Sequence, residues 1–299
     1  MADFASLMNP IRNVEIKRLC SVPAPDFDLE KTLNSGQVFH WIRSGKGFVG
    51  AIDQTPVFIE QEGNAVLALK EHVSLVARYF ALDHPLPKIL KTFPADAVMK
   101  VAVEYCHGLR IIRQPRWECL ATFLTSPLKQ VQHIRAISLL IRKSFGHRLQ
   151  GGDLEIFSYP APEQVAGISL AKLLECKLGF RAANLIATAR LVASGTVDLE
   201  ALDDLSTDEA RTVLCSLPGV GEKIANCLLL FAYERLDAVP IDVWISRIMN
   251  EVYFAGRTKV SLREMKSFAA DYFGEYAGYA QQYLFHHWRL TYRKRQKFR

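Results

Sequence analysis

The chain has 299 residues, 49% of them hydrophobic and 10% aromatic, enough apolar content for a sizeable core and too much for an intrinsically disordered chain. Its 37 basic and 31 acidic residues leave a net charge of +6, which permits a polyanionic partner without demanding one. No apolar run approaches the roughly 18 residues of a membrane span, and Met1-Ala2-Asp3-Phe4 lacks the pattern of a secretory signal.

Residues 1–25 read as an irregular arm or short strand ending in Pro23-Ala24-Pro25. From Phe27 to Lys70 the apolar period is close to two. Short β-type runs at 48–52, 57–60 and 65–69 are separated by Asp53-Gln54-Thr55-Pro56 and Gly63-Asn64, predicting an antiparallel sheet. After Glu71 the period changes to that of helices, predicted at 73–82, 95–108, 116–125, 129–145, 169–177, 182–194, 207–216, 222–233, 243–254, 261–273 and 277–289. This order predicts an α+β chain: an N-terminal antiparallel sheet domain with a flanking helix over 1–93, a helical core over 94–290, and a basic tail over 291–299. Pro85, Pro87 and Pro94 mark the boundary.

The charge is localised. Residues 289–299 hold six basic residues and no acidic one, so residues 1–288 are neutral as a whole. Within them, residues 97–152 carry nine basic and two acidic side chains, a polarity suited to holding a polyanion on one side. The six cysteines (Cys20, Cys106, Cys119, Cys176, Cys215, Cys227) show no C-x2–4-C spacing. That argues against zinc ribbons, redox pairs and a compact iron–sulfur loop, and for reduced thiols.

Leu214–Leu230 is the most informative segment. One helix is predicted to end near Ser216, Leu217-Pro218-Gly219-Val220-Gly221 turns the chain, and a second helix begins at Glu222. The glycines permit positive φ and close backbone approach. The N–H groups of Val220, Gly221 and the first helical turn have no intrahelical acceptors, and with the helix dipole they suit a DNA phosphate. An ordinary helical corner would look the same in isolation. Lys223 sits in the first turn, where the dipole opposes a cation; it reads either as an amine activated for nucleophilic attack or as a phosphate contact. Asp242, in Ala238-Val-Pro-Ile-Asp-Val-Trp244, reads as a helix N-cap or as a partly buried carboxylate that can polarise a water or stabilise a cationic sugar. Gln281 and Phe285, spaced i,i+4, put an amide and a ring on one face, which suits a flat heterocycle but also an ordinary core position.

Together these residues resemble the helix-hairpin-helix/Gly-Pro-Asp superfamily of DNA glycosylases, whose signature is Leu-Pro-Gly-Val-Gly-x-Lys followed by Val-Pro-Ile-Asp. Further stretches are similar to the 8-oxoguanine DNA glycosylase/AP lyase family: Leu33-Asn-Ser-Gly-Gln-Val-Phe-His-Trp41, Leu109-Arg-Ile-Ile-Arg-Gln114, Trp117-Glu-Cys-Leu120, Leu178-Gly-Phe-Arg-Ala182 and Tyr276-Ala-Gly-Tyr-Ala-Gln-Gln-Tyr-Leu-Phe285. The resemblance implies a two-lobe helical core with the helix-hairpin-helix at 207–233. It implies a bifunctional enzyme that removes 8-oxoguanine from duplex DNA through a Lys223 Schiff base and β-elimination, with Asp242 as the catalytic carboxylate. The Gly36 carbonyl would accept the lesion's N7–H, the Pro240 carbonyl and Gln281 would meet the Watson–Crick edge, and Cys227 and Phe285 would sandwich the base. The hairpin residues Gly219, Val220 and Gly221, with Lys129, His133, Phe180, Arg181 and Trp244, would touch DNA. No cofactor, metal or membrane is implied. The chain would act as a monomer, in the bacterial cytoplasm beside the nucleoid or in a eukaryotic nucleus.

Several positions depart from the family pattern. Leu128-Lys129-Gln130 replaces a run of three Asn, His133 an Arg that reads the estranged cytosine, Phe180 a Tyr wedge, and Trp244 a phosphate-contacting His; a second Arg is kept as Arg181. These departures imply looser opposite-base selectivity and a bacterial-type branch. The competing readings are an alkylbase or adenine glycosylase of the same superfamily, which usually lacks the hairpin Lys, and a non-catalytic DNA-binding module.

Overall fold

The structure is a computed structural model that describes residues 19–150, 155–257 and 259–296, the last four as backbone. The alternating first third forms a five-stranded antiparallel sheet of β1 (Leu19–Pro23), β2 (Ile42–Ser44), β3 (Gly47–Ile52), β4 (Thr55–Glu62) and β5 (Ala65–Leu69), in the order β1-β5-β4-β3-β2. Two-residue loops set its register: Ile52 pairs with Thr55 across Asp53-Gln54, and Glu62 pairs with Ala65 across Gly63-Asn64. Asp53 and Gly63 both have positive φ (53° and 56°), the conformation tight hairpins use to match strand twist. The arm predicted before Pro25 is therefore a strand from Leu19 on, paired with β5; residues 1–18 lie outside the described residues.

One sheet face packs Phe48, Val57, Ile59, Val66 and Ala68 against Leu29 and Leu33 of α1 (Leu29–Asn34) and Val76 and Tyr79 of α2 (Val73–Tyr79). Sequence periodicity misses α1 because six residues are too few to establish it. The start is nonetheless written there: Asp28 Oδ1 accepts the Lys31 N–H at 2.8 Å.

The remaining helices share one hydrophobic cluster: α3 (Leu86–Lys91), α4 (Ala97–Tyr105), α5 (Arg116–Leu124), α6 (Val131–Phe145), α7 (Pro162–Gly167), α8 (Leu170–Glu175), α9 (Arg181–Ala193), α10 (Thr207–Cys215), α11 (Glu222–Ala232), α12 (Val243–Ile248), α13 (Leu262–Phe273) and α14 (Ala277–Gln296). A small ribbon, β6 (Arg148–Leu149) with β7 (Ile156–Phe157), joins β3 of the sheet. At the centre, α11 is buried from Ile224 through Phe231, so its two charged residues, Glu222 and Lys223, fall at its N-terminal end.

Three boundaries differ from expectation. Leu86, Ile89 and Phe93 pack with the helical cluster, as does Phe39, while Ile112 packs with the sheet cluster, so the two cores interleave along the chain. The prolines mark where the chain turns, not which core its apolar face enters. Residues 243–254 are not one regular helix: α12 stops at Ile248 and Met249–Tyr253 widen into a π turn. And α14 continues through Gln296, so the predicted tail begins as helix; its basic side chains lie outside the described residues.

A buried ion pair joins the two cores. Arg142 of α6 contacts the Glu118 carboxylate of α5 and donates to the Phe157 carbonyl at 3.1 Å. His40, in the loop before β2, places Nδ1 3.2 Å from Glu118 and Nε2 2.7 Å from the Ala51 carbonyl of β3. Burial pushes the Glu118 carboxyl up, and Arg142 opposes that shift. A buried charge stripped of its partner is expensive. Arg142→Leu should lower unfolding free energy in urea by about 3–5 kcal/mol, while Arg142→Leu/Glu118→Leu loses clearly less. Equal losses would show that the pair is not coupled.

Candidate active site

The hairpin is a tight connection braced from behind. Gly219 has φ +80°, and a methyl group placed there would collide with the Asn184 side chain of α9, with Nδ2 at 2.5 Å. Thr188, one turn along α9, donates to the Pro218 carbonyl at 3.1 Å. Gly221 is different: its φ is −97°, it is the N-cap of α11, and open space lies in front of it. Only one of the two hairpin glycines therefore needs glycine's backbone freedom; the other leaves the helix end unobstructed. The Val220 N–H donates to the Leu217 carbonyl at 3.0 Å, closing the turn. This corrects the expectation that Val220 offers its N–H to an anion, and leaves that role to Gly221 and the first turn of α11.

Lys223 turns from this end into a pocket lined by Gly36, Phe123, Cys227, Phe231, Pro240, Asp242, Gln281, Gln282 and Phe285. Every residue expected to catalyse or to hold a base thus meets in one place. About 310 Å³ of space lies between these residues, part of it open to solvent. Lys223 Nζ lies 3.3 Å from Ser126 Oγ and 5.2 Å from the centre of the Phe123 ring. Phe123 stacks on Phe231, with ring centres 5.6 Å apart and planes 14° apart, forming an apolar wall. Cys227, one turn below Lys223, is buried, which pushes its thiol up to about 11 against the pull of the Lys223 charge.

Asp242 is the N-cap of α12, with Oδ1 accepting the Ile245 N–H at 2.9 Å. Burial raises its carboxyl above the ordinary range, opposed by that N–H and by Lys223. Cap and site residue are therefore not alternatives: the cap fixes the orientation in which the carboxylate faces the pocket. Asn226 of α11 secures the approach to it, donating to the Val239 carbonyl at 3.0 Å while accepting from Arg211 at 2.8 Å.

On the other side, the Phe285 ring lies against Gly36; a methyl on Gly36 would meet Phe285 Cε1 at 3.1 Å. Gln281 is only 4% exposed, and its Oε1 has no hydrogen-bond partner among the described residues. A buried acceptor without a donor is unfavourable, so this atom calls for a ligand that brings an N–H.

Comparisons with known proteins agree with this geometry. Residues 20–120 match the N-terminal domain of 8-oxoguanine DNA glycosylase, and residues 130–269 match the HhH-GPD superfamily of base excision DNA repair proteins. A probable N-glycosylase/DNA lyase of Methanothermobacter thermautotrophicus is 30% identical over 90% of this chain and 96% of its own length. The chain belongs to the 8-oxoguanine DNA glycosylase/AP lyase family. Among solved structures, MBOgg1 with a low-affinity DNA ligand superposes with a TM-score of 0.87 at 30% identity, covering 92% of this chain and 96% of that one. The 8-oxoguanine glycosylase/lyase of Clostridium acetobutylicum, bound to duplex DNA with cytosine opposite 8-oxoguanine, superposes with 0.84 at 28% identity, covering 89% and 93%. A 3-methyladenine glycosylase of Archaeoglobus fulgidus shares the fold at 18% identity and a TM-score of 0.76, so fold alone does not select the base.

Within this glycosylase fold, the residues expected on the DNA side are unequal. Phe180 is 66% exposed and His133 is also exposed, as surface contacts must be. Arg181 is not: it is 5% exposed, donates to the Leu178 carbonyl at 2.9 Å, and also holds the Pro127 carbonyl. In this structure it is a bracket between α9 and the 126–130 loop rather than a free DNA contact. Trp244 packs on Tyr292 with ring centres 5.5 Å apart, beside Arg247. The charge reading also needs correction. In the 97–152 segment Arg110 donates to the Ala81 and His84 carbonyls, Arg113 pairs with Asp83 and Glu234, Arg116 with Glu200 and Asp203, Arg142 with Glu118, and Arg135 holds the Trp41 carbonyl. Five of its cations are tied to internal partners, so a residue count overstates the charge presented to DNA.

Sequence reasoning passed over Phe123, Phe231, Ser126, Asn226 and Gln282. Phe123 and Ser126 come from the end of α5 and Phe231 from α11, so no local motif joins them. Asp242 allows its two roles to be separated. Asn retains a cap acceptor but not the charge, so Asp242→Asn should unfold within about 0.5 kcal/mol of the parent, whereas Asp242→Ala should lose about 1 kcal/mol. Equal losses in thermal denaturation would mean that the charge, not the cap, matters to the fold.

Proposed function

We propose that this chain is a bifunctional enzyme that excises 8-oxoguanine flipped out of duplex DNA and then nicks the strand, with Lys223 as nucleophile. The observation that carries the reading is the convergence of Lys223 and Asp242 with the Gly36 backbone and the orphan Gln281 acceptor in one pocket. The Lys223 amine nitrogen attacks C1′ through its lone pair. The glycosidic bond breaks, and its electron pair leaves with the base, which takes up a proton. Opening of the sugar gives a Schiff base, whose β-elimination removes a C2′ proton and breaks the C3′–O bond. The Asp242 carboxylate faces the sugar, where positive charge develops. No cofactor enters this sequence, because the amine is the protein's own.

Recognition divides by chemistry. The Phe285 ring and Cys227 cover the two base faces, and Gln281 Oε1 with the Pro240 carbonyl accept from the N–H groups of a guanine-type Watson–Crick edge. Guanine N7 is an acceptor, whereas 8-oxoguanine carries N7–H. The Gly36 carbonyl therefore bonds the lesion and is left unpaired by guanine, a difference of about 1 kcal/mol for the bond plus about 1–3 for the stranded acceptor. The open N-terminus of α11 at Gly221 receives a backbone phosphate, with Gly219 and Val220 forming the turn behind it, and Phe180, Lys129, His133 and Trp244 border the duplex. Arg181 braces the 126–130 loop beside them. Such an enzyme works where the genome lies, in the nucleoid or the nucleus.

Borohydride should trap a covalent complex between the wild-type protein and an 8-oxoguanine duplex, and Lys223→Gln should abolish it. Full trapping by that variant would refute the assignment. With His133 and Phe180 in place of cytosine-reading donors, single-turnover excision opposite C, A, G and T should fall within about tenfold, the scale of one lost hydrogen bond. A preference for C of several hundredfold would show that other groups read the orphan base.

A further inference from the structure

The backbone around Gly36 is held by side chains on both sides. In chain order, the Asn34 carbonyl accepts from Arg289 Nη2 at 2.8 Å, the Ser35 carbonyl from Gln282 Nε2 at 3.0 Å, and the Gln37 carbonyl from Gln114 Nε2 at 2.8 Å. Gln37 is itself pinned, donating to the Arg110 carbonyl at 2.8 Å and accepting the Ile112 N–H at 2.9 Å. The Gly36 carbonyl receives none of these donors. Of four successive carbonyls, it is the one kept in reserve. Gly36 has φ +88°, and glycine moves between backbone states more readily than any other residue. An acceptor on such a residue discriminates only if something else removes that freedom.

We propose that Gln282 is the positioning residue for lesion discrimination: by holding the Ser35 carbonyl it fixes the glycine backbone and keeps the Gly36 carbonyl presented to the pocket. Gln282 is 2% exposed and follows Gln281 on α14, so one helix supplies both a contact to the base and the restraint on the loop that reads it. The proposal rests on the Gly36 carbonyl being the N7–H acceptor. Gln37 and Gln114 restrain the peptide from the far side, but neither bridges the loop to the helix that carries the base-binding residues. Two residues of that helix do: Arg289 holds the Asn34 carbonyl, and Gln282 holds the Ser35 carbonyl, the one next to Gly36, which ties the reader to the pocket wall.

The test uses the Lys223→Gln protein, which binds without cleaving, and two duplexes. One carries 8-oxoguanine; the other carries its 7-deaza analogue, which keeps the 8-oxo group and lacks the N7–H. With Gln282 present, the lesion duplex should bind about tenfold more tightly than the analogue. Gln282→Met, which keeps the side-chain length, and Gln282→Leu both remove the donor, and each should reduce that ratio to under about threefold. A ratio retained in both variants overturns the role of Gln282 alone. So does an affinity loss shared equally by the two duplexes, which would indicate a general pocket defect. No preference even with Gln282 present overturns the Gly36 reading itself, and the proposal with it.

Discussion

The arrangement depends on the burial of one helix. α11 has no solvated face between Ile224 and Phe231, so its position is set by close packing on several sides at once, and close-packed interiors do not yield by fractions of an ångström. The Lys223 amine sits one residue inside the end of that helix. A flexible side chain thus acquires a rigid base, and the geometry between Lys223 and its neighbours is decided by apolar residues that never touch a substrate.

The same logic extends outward. The segment bearing Asp242 is tied to α11 through Asn226, the hairpin is braced by α9 through Asn184 and Thr188, and the Gly36 loop is tied to α14. The sheet, which supplies no side chain to the pocket, carries that loop at its side and is locked to the helical core through His40, Glu118 and Arg142. The pocket lies where elements from the two cores meet, which is where a base can be gripped from several directions.

Much of this was legible in the sequence. Period-two runs divided by the turn residues 53–56 and 63–64 predicted the sheet, and the 3.6 periodicity predicted most helices. The elements that escaped have physical reasons for doing so. The helix at Leu29–Asn34 is too short to show a period. The turn after Ile248 depends on packing of Tyr253 among Phe268, Tyr272 and Phe273, which no local propensity encodes. Charge was the most misleading signal. Arg110, Arg113 and Arg142 look like a DNA-facing surface when counted, yet they are fasteners whose partners lie tens of residues away. Ring pairs such as Phe123 with Phe231 are invisible for the same reason.

The contact between Phe285 and Gly36 carries a last consequence. The ring rests on the glycine, so part of the pocket is lined by a contact within the protein itself. A base held between Phe285 and Cys227 would exchange that contact for its own, so the net apolar gain would be modest. That gain is also nearly the same for any purine. In the proposed reading, stacking would hold any base weakly, and the few polar atoms at the pocket's edges would select among them. An enzyme that must sample a vast excess of undamaged guanine benefits from a vestibule that holds every candidate weakly.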